Sequence, residues 1–365
     1  MVKGIPDLQQ LLLRVRTPPL VGVDIGASAV KCVELSRSKD GSFSLDRYAT
    51  EPLPKGAIVD GNISNLEAVA EAISRAWTRL GTRVKNVALA LPAELVISKK
   101  ITLPAGLDEE LLEMQVENEA SQYLPFALDE ANLDFQVIGT APHNPDEDTV
   151  LLVASRKANV EDRVAAAQAA GLKPVIVDTE PFAVQTAFEQ LRLQLPDQAA
   201  GQFLALADIS ANAMSVSILH DGEVIYTRDH QLGGDHLTQQ IQMMYNLSPE
   251  EAEIGKRKGG LPDDYASRVL APFVESVANE VARAIQFFHA SGHKEPVTQV
   301  LLSGGSATLP GLDRAVAQHT RISTRQANPF VGMGLSSRIT ARQLQLDAPV
   351  LLVACGLALR RFDTP

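Results

Sequence analysis

The chain contains very little cysteine: its 365 residues include only Cys32 and Cys355. The two cysteines lie far apart in the sequence, and each lies within an apolar run. This usage is typical of a cytosolic protein in which both thiols are small buried side chains. It argues against the disulfide framework of small secreted proteins.

Long apolar runs are missing as well. No stretch approaches the roughly eighteen consecutive apolar residues that a membrane-spanning helix needs. The first residues do not resemble a signal peptide, because Arg14 and Arg16 interrupt their apolar positions and no cleavage-like site follows. We therefore expect a cytoplasmic protein without a transmembrane segment.

The N-terminal segment, residues 1–17, has an amphipathic pattern. Four apolar residues recur at helical spacing beside three basic ones: Leu8, Leu11, Leu12 and Val15, with Lys3, Arg14 and Arg16. A short helix of this kind either docks on its own domain or contacts a membrane surface or a partner. Docking on its own domain is the simpler interpretation of so short a pattern.

Negative charge prevails over positive charge. The formal net charge is -11 and the isoelectric point is about 5.2, so the composition gives no broad basic surface for nucleic acid. Hydrophobic residues make up 45% of the chain and charged residues 21%. That balance is typical of a soluble globular protein, and the length fits roughly two domains.

Several common catalytic and nucleotide-binding motifs are absent. The sequence has no P-loop, no glycine-rich dinucleotide turn, no nucleophile elbow and no two-histidine zinc helix. His289 and His293 are four residues apart, but Gly292 lies between them and no third ligand is evident. Since a protein metal site needs at least three ligands, we interpret this pair as the end of a helix.

An internal repeat divides the chain into two halves. Residues 21–35 read VGVDIGASAVKCVEL, and residues 205–219 read ALADISANAMSVSIL. Each consists of an apolar strand that ends in Asp-Ile, a short turn of small residues and a second alternating strand. Helical patterns alternate with strands in the rest of each half. The sequence therefore predicts an α/β fold with two similar lobes that face each other.

A segment that interrupts the first half is large enough for a subdomain of its own. It contains an acidic helical pattern, strand-like runs and a polar stretch at Pro142–Asp148 that predicts an exposed loop. The predicted organisation is an N-terminal segment (1–17), a lobe I core (18–92 and 172–198, with 346–365), an inserted subdomain (93–171), a lobe II core (199–237 and 290–345) and a lobe II small subdomain (238–289).

The two hairpin turns carry the residue types that a nucleotide needs. The turn Gly26–Ala29 follows Asp24 and precedes Lys31, and the turn Ser210–Ala213 follows Asp208. Small side chains let successive backbone N–H groups form a concave phosphate site, and carboxylates hold the metal ion of a nucleotide, often through water. One such turn alone is more often a plain hairpin, but two facing turns favour a polyphosphate clamp.

Five stretches resemble the superfamily of actin, DnaK-type chaperones and sugar kinases, in that superfamily's order. VGVDIGASAVK and DISANAMSVSIL resemble its two phosphate motifs, VDTEPFAVQTAF its first connecting helix, VLLSGGSATLPGL its adenosine motif and LLVACGLALR its second connecting helix. The resemblance implies a two-lobed actin-like fold, a duplicated ribonuclease H-like fold, that binds ATP and Mg²⁺. It also places Gly356 at the contact between the connecting helices. Ser210 and Asn212 depart from the glycines that are common in the second phosphate motif.

Within this superfamily the chain resembles the FtsA and PilM families. QLGGDHLTQQI (231–241) followed by EEAEIGKRKGG (250–260) is similar to their glycine-rich helix start and Glu-x-x-Lys nucleotide contact. By itself the second stretch would be read as a salt-bridged surface helix. The inserted stretch ISKKITLPAGLDEELLEMQVENEASQYLPFALDEANLDFQVIG is similar to the PilM family of type IV pilus systems, so the inserted subdomain is expected to be of the FtsA/PilM type. No amphipathic helix of the FtsA kind follows the last connecting helix, which argues against FtsA.

The resemblance to the PilM family implies a partner and a location. The inserted subdomain and its lobe would form a groove for the N-terminal cytoplasmic tail of PilN, a single-span inner-membrane protein. The protein would be peripheral to the inner membrane through this partner, with other pilus assembly proteins and self-association as further interactions. Residues 122–126 (QYLPF) either line the groove or pack in the core after a helix.

The same resemblance assigns the candidate site residues. Glu180 is the candidate catalytic residue, and Asp24 and Asp208 are expected to hold the metal ion through water. The residues expected to bind the nucleotide are Asp24, Gly26, Ala27, Ser28, Ala29, Lys31, Asp208, Ser210, Ala211, Asn212, Gly233, Gly234, Glu253, Lys256, Gly304, Gly305 and Ser306. Because only Glu180 is available to orient or deprotonate a water, we expect tight binding with slow or negligible hydrolysis.

Two other functions fit the same fold. An actin-fold small-molecule kinase would need a catalytic aspartate in a second substrate pocket, and no sugar-binding constellation is evident. An FtsA-like cell-division filament protein would share fold and motifs and would differ in its partner, the division protein FtsZ. Since fold alone does not fix function, the partner is the discriminating feature.

Overall fold

The computed structural model describes residues 18–363, so the predicted amphipathic segment at residues 1–17 lies outside the described range. In chain order the strands are β1 (Val21–Ile25), β2 (Ala29–Arg37), β3 (Phe43–Pro52), β4 (Ile58–Val59), β5 (Asn62–Ile63), β6 (Asn86–Leu91), β7 (Ile97–Pro104), β8 (Ala131–Ala141), β9 (Asn144–Arg156), β10 (Lys173–Thr179), β11 (Phe203–Ile209), β12 (Met214–His220), β13 (Glu223–His230), β14 (Val297–Ser303), β15 (Ser323–Gln326) and β16 (Gly334–Leu335). The helices are α1 (Leu66–Leu80), α2 (Glu109–Ala120), α3 (Lys157–Ala169), α4 (Glu180–Arg192), α5 (Gly234–Tyr245), α6 (Pro249–Lys258), α7 (Ala271–Ala290), α8 (Leu312–Thr320), α9 (Ala341–Asp347) and α10 (Leu352–Leu359).

Lobe I is built on a six-stranded sheet of order β10-β6-β1-β2-β3-β16. Strands β1, β2 and β3 are antiparallel neighbours, whereas β6 and β10 run parallel to β1. All five residues of β1 are buried, as expected for a strand whose sheet is covered on both faces. Apolar residues of α1 and α3 pack with β1 and β6 in one core cluster. Helix α10 packs against β1 and β2.

Lobe II repeats this topology with a five-stranded sheet of order β13-β12-β11-β14-β15. Strands β11, β12 and β13 are antiparallel neighbours, and β14 and β15 run parallel to β11. The order corresponds strand by strand to β3-β2-β1-β6-β10 of lobe I. The repeat predicted from residues 21–35 and 205–219 is therefore confirmed, and with it the two-lobed α/β fold.

A third, three-stranded sheet forms the inserted subdomain. Its order is β7-β9-β8, and all its pairs are antiparallel. Residues of α2 such as Val116 pack with Ile101 of β7 and with Val150 and Leu152 of β9 in a small separate core. The inserted subdomain thus has a hydrophobic core of its own.

The predicted loop at Pro142–Asp148 is wrong, because strand β9 already begins at Asn144. Residues 142 and 143 form a tight connection between β8 and β9, and most side chains of β8 are exposed. The polar composition of this stretch reflects exposure to solvent at the end of the β8–β9 hairpin. It does not reflect an absence of regular structure.

Two segments pack on a different lobe from the predicted one. Helix α3, predicted within the inserted subdomain, places Ala166 and Ala167 in the core of lobe I. The stretch after β15, predicted as lobe II, packs Phe330, Met333 and Leu344 in a cluster with strands of lobe I. After β15 the chain crosses back to lobe I, where the two-residue strand β16 pairs with β3. So short a strand gives no recognisable sequence pattern.

Helix starts follow from capping side chains. Asn65, Asp108, Thr179 and Ser248 each accept a hydrogen bond from a backbone N–H in the first turn of α1, α2, α4 and α6. Such caps satisfy N–H groups that have no partner within the helix. The cap at Thr179 fixes where α4 begins, and therefore where Glu180 lies.

Helix α10 is apolar around its whole circumference because it lies in the centre of the molecule. Every residue of this helix except Val353 is buried, including the thiol of Cys355, and Cys32 is also free and buried. In residues 18–363 no single helix has the length and apolarity to cross a membrane, and the one pair that passes together, Ala341–Val350 and Leu352–Phe362, is bent by 90°.

The two connecting helices α4 and α10 cross at Gly356. A Cβ atom added to Gly356 would lie 1.8 Å from the carbonyl oxygen of Ala183 in α4. On another side of α10, a Cβ atom added to Gly22 of β1 would lie 2.1 Å from the carbonyl oxygen of Ala354. No side chain fits at either position, so the backbones themselves are in contact. The predicted contact of Gly356 with the first connecting helix is confirmed.

Replacing Gly356 by alanine tests this crossing. The added methyl group would overlap the Ala183 carbonyl, so we expect the free energy of unfolding to fall by about 3 kcal/mol or more, the upper end for overpacked cores. The gain in helix propensity from glycine to alanine, about 1 kcal/mol, is too small to compensate. Urea unfolding followed by circular dichroism measures the difference.

Gly305→Ala is the matched control for this substitution. No atom lies within 4 Å of the Cβ that alanine would add at Gly305, so its stability should stay within about 0.5 kcal/mol of the wild type. If Gly356→Ala were as stable as this control, the close approach of α4 and α10 would be contradicted.

Candidate functional site

The first hairpin brings an acid and a base together at its turn. In the antiparallel pair of β1 and β2, Asp24 lies opposite Lys31, and Lys31 Nζ donates to the Asp24 carboxylate at 2.8 Å. The turn is closed by a hydrogen bond from the backbone N–H of Gly26 to the carbonyl of Ala29 at 3.1 Å. A Cβ atom added to Gly26 would lie 2.8 Å from Lys31 Nζ. The ammonium group therefore lies directly beside the turn.

The second hairpin has the same shape but no lysine. In the pair of β11 and β12, Asp208 lies opposite Ser215. The backbone N–H and the hydroxyl of Ser210 both donate to the carbonyl of Ala213 at 3.0 Å. The Asp208 carboxylate instead accepts a hydrogen bond from the hydroxyl of Ser303 at 2.8 Å. Burial raises the pKa of Asp208, and the Ser303 hydroxyl opposes this rise.

The acids of both lobes lie close enough to act on one lysine. Burial alone would lower the pKa of Lys31, but Asp24, and then Glu180 and Asp208, attract its charge and raise the pKa above its ordinary value. Because Asp24 and Lys31 belong to lobe I and Asp208 to lobe II, the charged groups of the two repeats meet in one cluster. The sequence-based expectation that the hairpins face each other agrees with this arrangement.

Glu180 is the first residue of α4, directly after the capping residue Thr179. Burial and the neighbouring carboxylate of Asp24 raise the pKa of Glu180 to about 8, although Lys31 opposes the rise. Near neutral pH this carboxyl group is therefore largely protonated. A half-buried acid next to another acid behaves in this way because loss of water and two adjacent negative charges both disfavour the ionised form.

The loop after β14 lies beneath the second hairpin. Gly304 has a φ of +87°, and a Cβ atom added there would lie 2.5 Å from the carbonyl oxygen of Ile209, so only glycine fits. The backbone N–H of Ser306 donates to the same carbonyl at 3.1 Å. Gly305, between them, faces open space. This open backbone surface is of the kind against which a nucleoside could pack.

The start of α5 connects the second hairpin to Lys256. The backbone N–H groups of Gly234 and Asp235 donate to carbonyls of the second turn at 2.9 and 2.8 Å. Lys256 Nζ donates to the carbonyl of Gly234 at 3.2 Å and to the hydroxyl of Thr238 at 2.7 Å. A Cβ atom added to Gly234 would lie 2.9 Å from the hydroxyl of Ser306. The site residues predicted in lobe II therefore form one connected group in space.

Glu253 and Lys256 are both a salt bridge and part of this site. Lys256 Nζ lies 2.6 Å from the Glu253 carboxylate, at the i, i+3 spacing of a surface pair. The Glu253 carboxylate also accepts from Thr238 at 2.8 Å. Burial would raise the pKa of Glu253, but Lys256 and Thr238 hold it below its ordinary value. The salt bridge expected of a surface helix is therefore present, and the same two residues also contact the start of α5 in the candidate site.

The sequence analysis did not identify Ser303 and Thr238 as site residues. Ser303 fixes the Asp208 carboxylate, and Thr238 bridges Glu253 and Lys256. Ser303 directly precedes the glycine pair of the adenosine-like motif, and Thr238 lies four residues, one helical turn, after Gly234. Both positions could have been found from these spacings.

The cluster fits a hydrated divalent cation better than a directly bound one. In the described part of the chain no group of three or more His, Cys, Asp or Glu side chains could hold a metal ion. The carboxyl groups of Asp24, Glu180 and Asp208 nevertheless outnumber the single ammonium of Lys31 beside them. Magnesium retains several of its waters in nucleotide sites, and carboxylates hold it through them. The donor set therefore fits Mg²⁺ in company with phosphate groups.

His289 lies in the last turn of α7 and His293 follows the end of that helix. His289 Nδ1 lies 3.2 Å from the carbonyl oxygen of His293, and the ring of His293 stacks on Phe288 with centroids 4.4 Å apart. The interpretation of this pair as a helix end is confirmed.

Comparisons with known proteins identify similar chains over nearly the whole length. A family model described as type IV pilus assembly protein PilM matches residues 22–362. A solved structure described as a PilM–PilN type IV pilus biogenesis complex contains a chain that is 28% identical, with a TM-score of 0.79 over 95% of this chain and 100% of that one. The cell division protein FtsA of Enterococcus hirae is 23% identical over 342 residues, 81% of this chain and 75% of that protein. The ethanolamine utilization protein EutJ of Carboxydothermus hydrogenoformans shares the fold, at 17% identity and a TM-score of 0.56 over 98% of this chain and 92% of that one.

The raised pKa of Glu180 predicts a pH dependence of stability. The pKa rises from its ordinary value of 4.5 to about 8 on folding, so folding takes up a proton between these values. The contribution of Glu180 is most favourable below pH 4.5 and is lost as the pH rises towards 8. Glu180→Gln mimics the protonated acid at every pH and should not show this loss. Its free energy of unfolding should therefore fall less than that of the wild type between pH 5 and pH values above 8.

Urea unfolding of the nucleotide-free protein from pH 5 to pH 9 measures this difference. Glu189→Gln, on the same helix but with a largely exposed carboxylate, is the control and should follow the wild-type pH dependence. Parallel curves for the wild type and Glu180→Gln would contradict the environment described for Glu180.

Proposed function

The chain belongs to the PilM family of type IV pilus assembly proteins, and on that premise we propose that it is a cytoplasmic ATP-binding scaffold of pilus biogenesis. In this proposal it binds the N-terminal cytoplasmic tail of PilN and is thereby peripheral to the inner membrane. It links the membrane subcomplex to the cytoplasmic assembly machinery. ATP and Mg²⁺ lie between the two lobes.

One observation carries the nucleotide part of the proposal. The two repeated hairpins, one from each lobe, bring Asp24, Lys31 and Asp208 into a single electrostatic cluster with Glu180. Folding alone does not require several acids to lie close together and partly shielded from water, since removing charge from water is costly. A site that receives a cation and phosphate groups accounts for them.

The roles of the residues follow from their positions. The turns Gly26–Ala29 and Ser210–Asn212 offer backbone N–H groups to the phosphates, and Asp24 and Asp208 hold the waters of Mg²⁺. The remaining candidates, which frame the nucleoside and the start of α5, are Gly233, Gly234, Glu253, Lys256, Gly304, Gly305 and Ser306. Bound Mg²⁺ would neutralise phosphate charge. Because the nucleotide would touch both lobes, it would favour their closed arrangement.

Slow or negligible hydrolysis is part of the proposal. A water that attacks the terminal phosphate needs a group to orient it or accept its proton. Glu180 is the single candidate for both tasks, because the proposal assigns Asp24 and Asp208 to the waters of Mg²⁺. We therefore expect binding rather than rapid turnover.

The inserted subdomain supports the proposal for the PilN tail. The solved complex of PilM with PilN contains a chain with which this one aligns over 95% of its length. Tyr123 of the run at residues 122–126 is exposed, whereas Leu124 packs against the core of the subdomain. In this proposal the run, which is a partly exposed turn after α2, contributes apolar surface to the groove for the tail.

Gly305→Val tests the nucleotide site. Since Gly305 faces open space, the valine should leave the fold intact but occupy the volume proposed for the nucleoside. We expect affinity for a non-hydrolysable ATP analogue with Mg²⁺ to fall about 10-fold or more, which corresponds to about 1.4 kcal/mol. Isothermal titration calorimetry measures it. Ala105→Val, at an exposed turn of the inserted subdomain, is the control and should bind as the wild type does.

A synthetic peptide of the PilN N-terminal tail tests the partner. We expect it to bind with a dissociation constant on the order of micromolar, as extended tails in shallow grooves commonly do, and with an affinity that changes when ATP and Mg²⁺ are present. A scrambled peptide of the same composition should not bind. Failure of the native peptide with and without nucleotide would contradict the PilN assignment.

A further inference from the structure

A buried polar chain joins both ends of the inserted subdomain to lobe I. The hydroxyl of Ser155, near the end of β9, donates to the carbonyl of Leu95 at 2.7 Å, immediately before β7 begins. Asn159 Nδ2 donates to the same hydroxyl at 3.4 Å. Arg163 lies one turn after Asn159 in α3, and its Nη1 donates to the backbone carbonyl of Asn159 at 3.4 Å. The chain thus starts where the polypeptide enters and leaves the inserted subdomain.

Arg163 ends this chain beneath the carboxyl end of β6. Its Nε donates to the carbonyl of Ala90 at 3.1 Å, and its Nη2 donates to the carbonyl of Gly61 at 2.7 Å. Its side chain is among the most buried in the molecule, with 1% of the residue exposed, and Ser155 and Asn159 are 4% and 9% exposed. In residues 18–363 no carboxylate forms a salt bridge with Arg163.

A buried guanidinium held only by carbonyl oxygens is an expensive way to stabilise a fold. Burial lowers the pKa of Arg163, although the carboxylates of Glu180, Asp24 and Glu94 attract its charge and oppose that change. Burying a charge without a paired opposite charge costs free energy. Stability alone therefore does not explain why an arginine is buried here. Its position between lobe I and the base of the inserted subdomain offers an explanation.

Both carbonyls that Arg163 holds belong to segments that lead to the candidate nucleotide site. Ala90 is the register partner of Asp178, and the following pair is Leu91 with Thr179, the residue that caps α4 before Glu180. Gly61 lies in the two-residue turn between β4 and β5. The loop that leads to β4 begins at Leu53, whose N–H donates to the carbonyl of Ser28 in the first phosphate turn at 2.9 Å.

We propose that Arg163, with Asn159 and Ser155, is a positioning relay that transmits the nucleotide state of the cleft to the inserted subdomain. This inference rests on the proposed function, because it assumes that a nucleotide binds at the facing hairpins. A shift of the first turn or of the start of α4 moves Gly61 or Ala90. Since a buried donor without a partner is unfavourable, and more so when it is charged, Arg163 follows its carbonyls and α3 moves with it. Ser155 and Leu95 then reorient the inserted sheet.

Three variants separate a relay from a purely structural role. Arg163→Met removes the charge and all three hydrogen bonds, Arg163→Lys keeps the charge but not the forked geometry, and Ser155→Ala cuts the chain at the base of the inserted subdomain. Arg79→Met is the matched control, because Arg79 is also an arginine of lobe I that donates to a carbonyl, that of Thr50, but its side chain is 62% exposed. All are made in the full-length chain.

Two readouts are taken with each variant. The first is the ratio of affinities for the PilN tail peptide with and without ATP and Mg²⁺. The second is amide hydrogen exchange in β7 and β9 with and without the same nucleotide, which needs no partner. In the wild type and in Arg79→Met we expect a ratio of about 5-fold or more, the usual lower range of allosteric coupling, and a nucleotide-dependent change in exchange.

In Arg163→Met and Ser155→Ala we expect the affinity ratio to fall to about 1 and the exchange change to disappear, while ATP affinity stays within about 3-fold of the wild type. Arg163→Lys should retain part of the ratio. If Ser155→Ala and both Arg163 variants keep the wild-type ratio and exchange change, the relay is wrong although the proposed function stands. A wild type that binds ATP without any change in exchange also overturns the relay. A wild type that binds no nucleotide contradicts the proposed function itself, and the relay with it.

Discussion

The contact between the backbones of α4 and α10 at Gly356 and Ala183 determines the geometry of the rest of the molecule. α10 lies on β1, which leads into the first hairpin, and a second glycine, Gly22, makes that contact equally close. The other side of α4 packs Phe188 and Leu191 against the sheet of lobe II. One crossing therefore relates both hairpins and Glu180 to each other. Any side chain there would separate the elements that carry the acids.

The protein's own groups neutralise the acids of the cleft only in part. Lys31 forms a salt bridge with Asp24, whereas within residues 18–363 Asp208 accepts a hydrogen bond from the Ser303 hydroxyl and forms no salt bridge. The pKa of Glu180 is raised to about 8. Protonation is one response of a crowded acidic site, and binding of a cation is the other. The same groups therefore connect the expected pH dependence of the free protein with the proposed binding of a metal–nucleotide complex.

Much of this arrangement could be predicted from the sequence, because repeats and turns are local signals. The Asp-Ile hairpins gave the two-lobed fold, and the pairing of Asp24 with Lys31 follows from counting residues across a tight turn. The role of Arg163 could not be read, since its partners Gly61 and Ala90 are distant in the sequence and an arginine in a helix is usually exposed. The packing of α3 and of the stretch after β15 on lobe I is likewise not predictable from the sequence. It depends on tertiary contacts that leave no mark in the local pattern.

The chain order of the two cores has a consequence for synthesis on the ribosome. All strands of the lobe II sheet, from β11 to β15, come from one continuous stretch of chain, whereas lobe I combines β1 with α10 from more than three hundred residues later. When the lobe II sheet has emerged from the ribosome, β1 still lacks the helix that covers it. The second half of the repeat is thus complete before the first, and the N-terminal lobe closes last, when the helix carrying Gly356 has emerged.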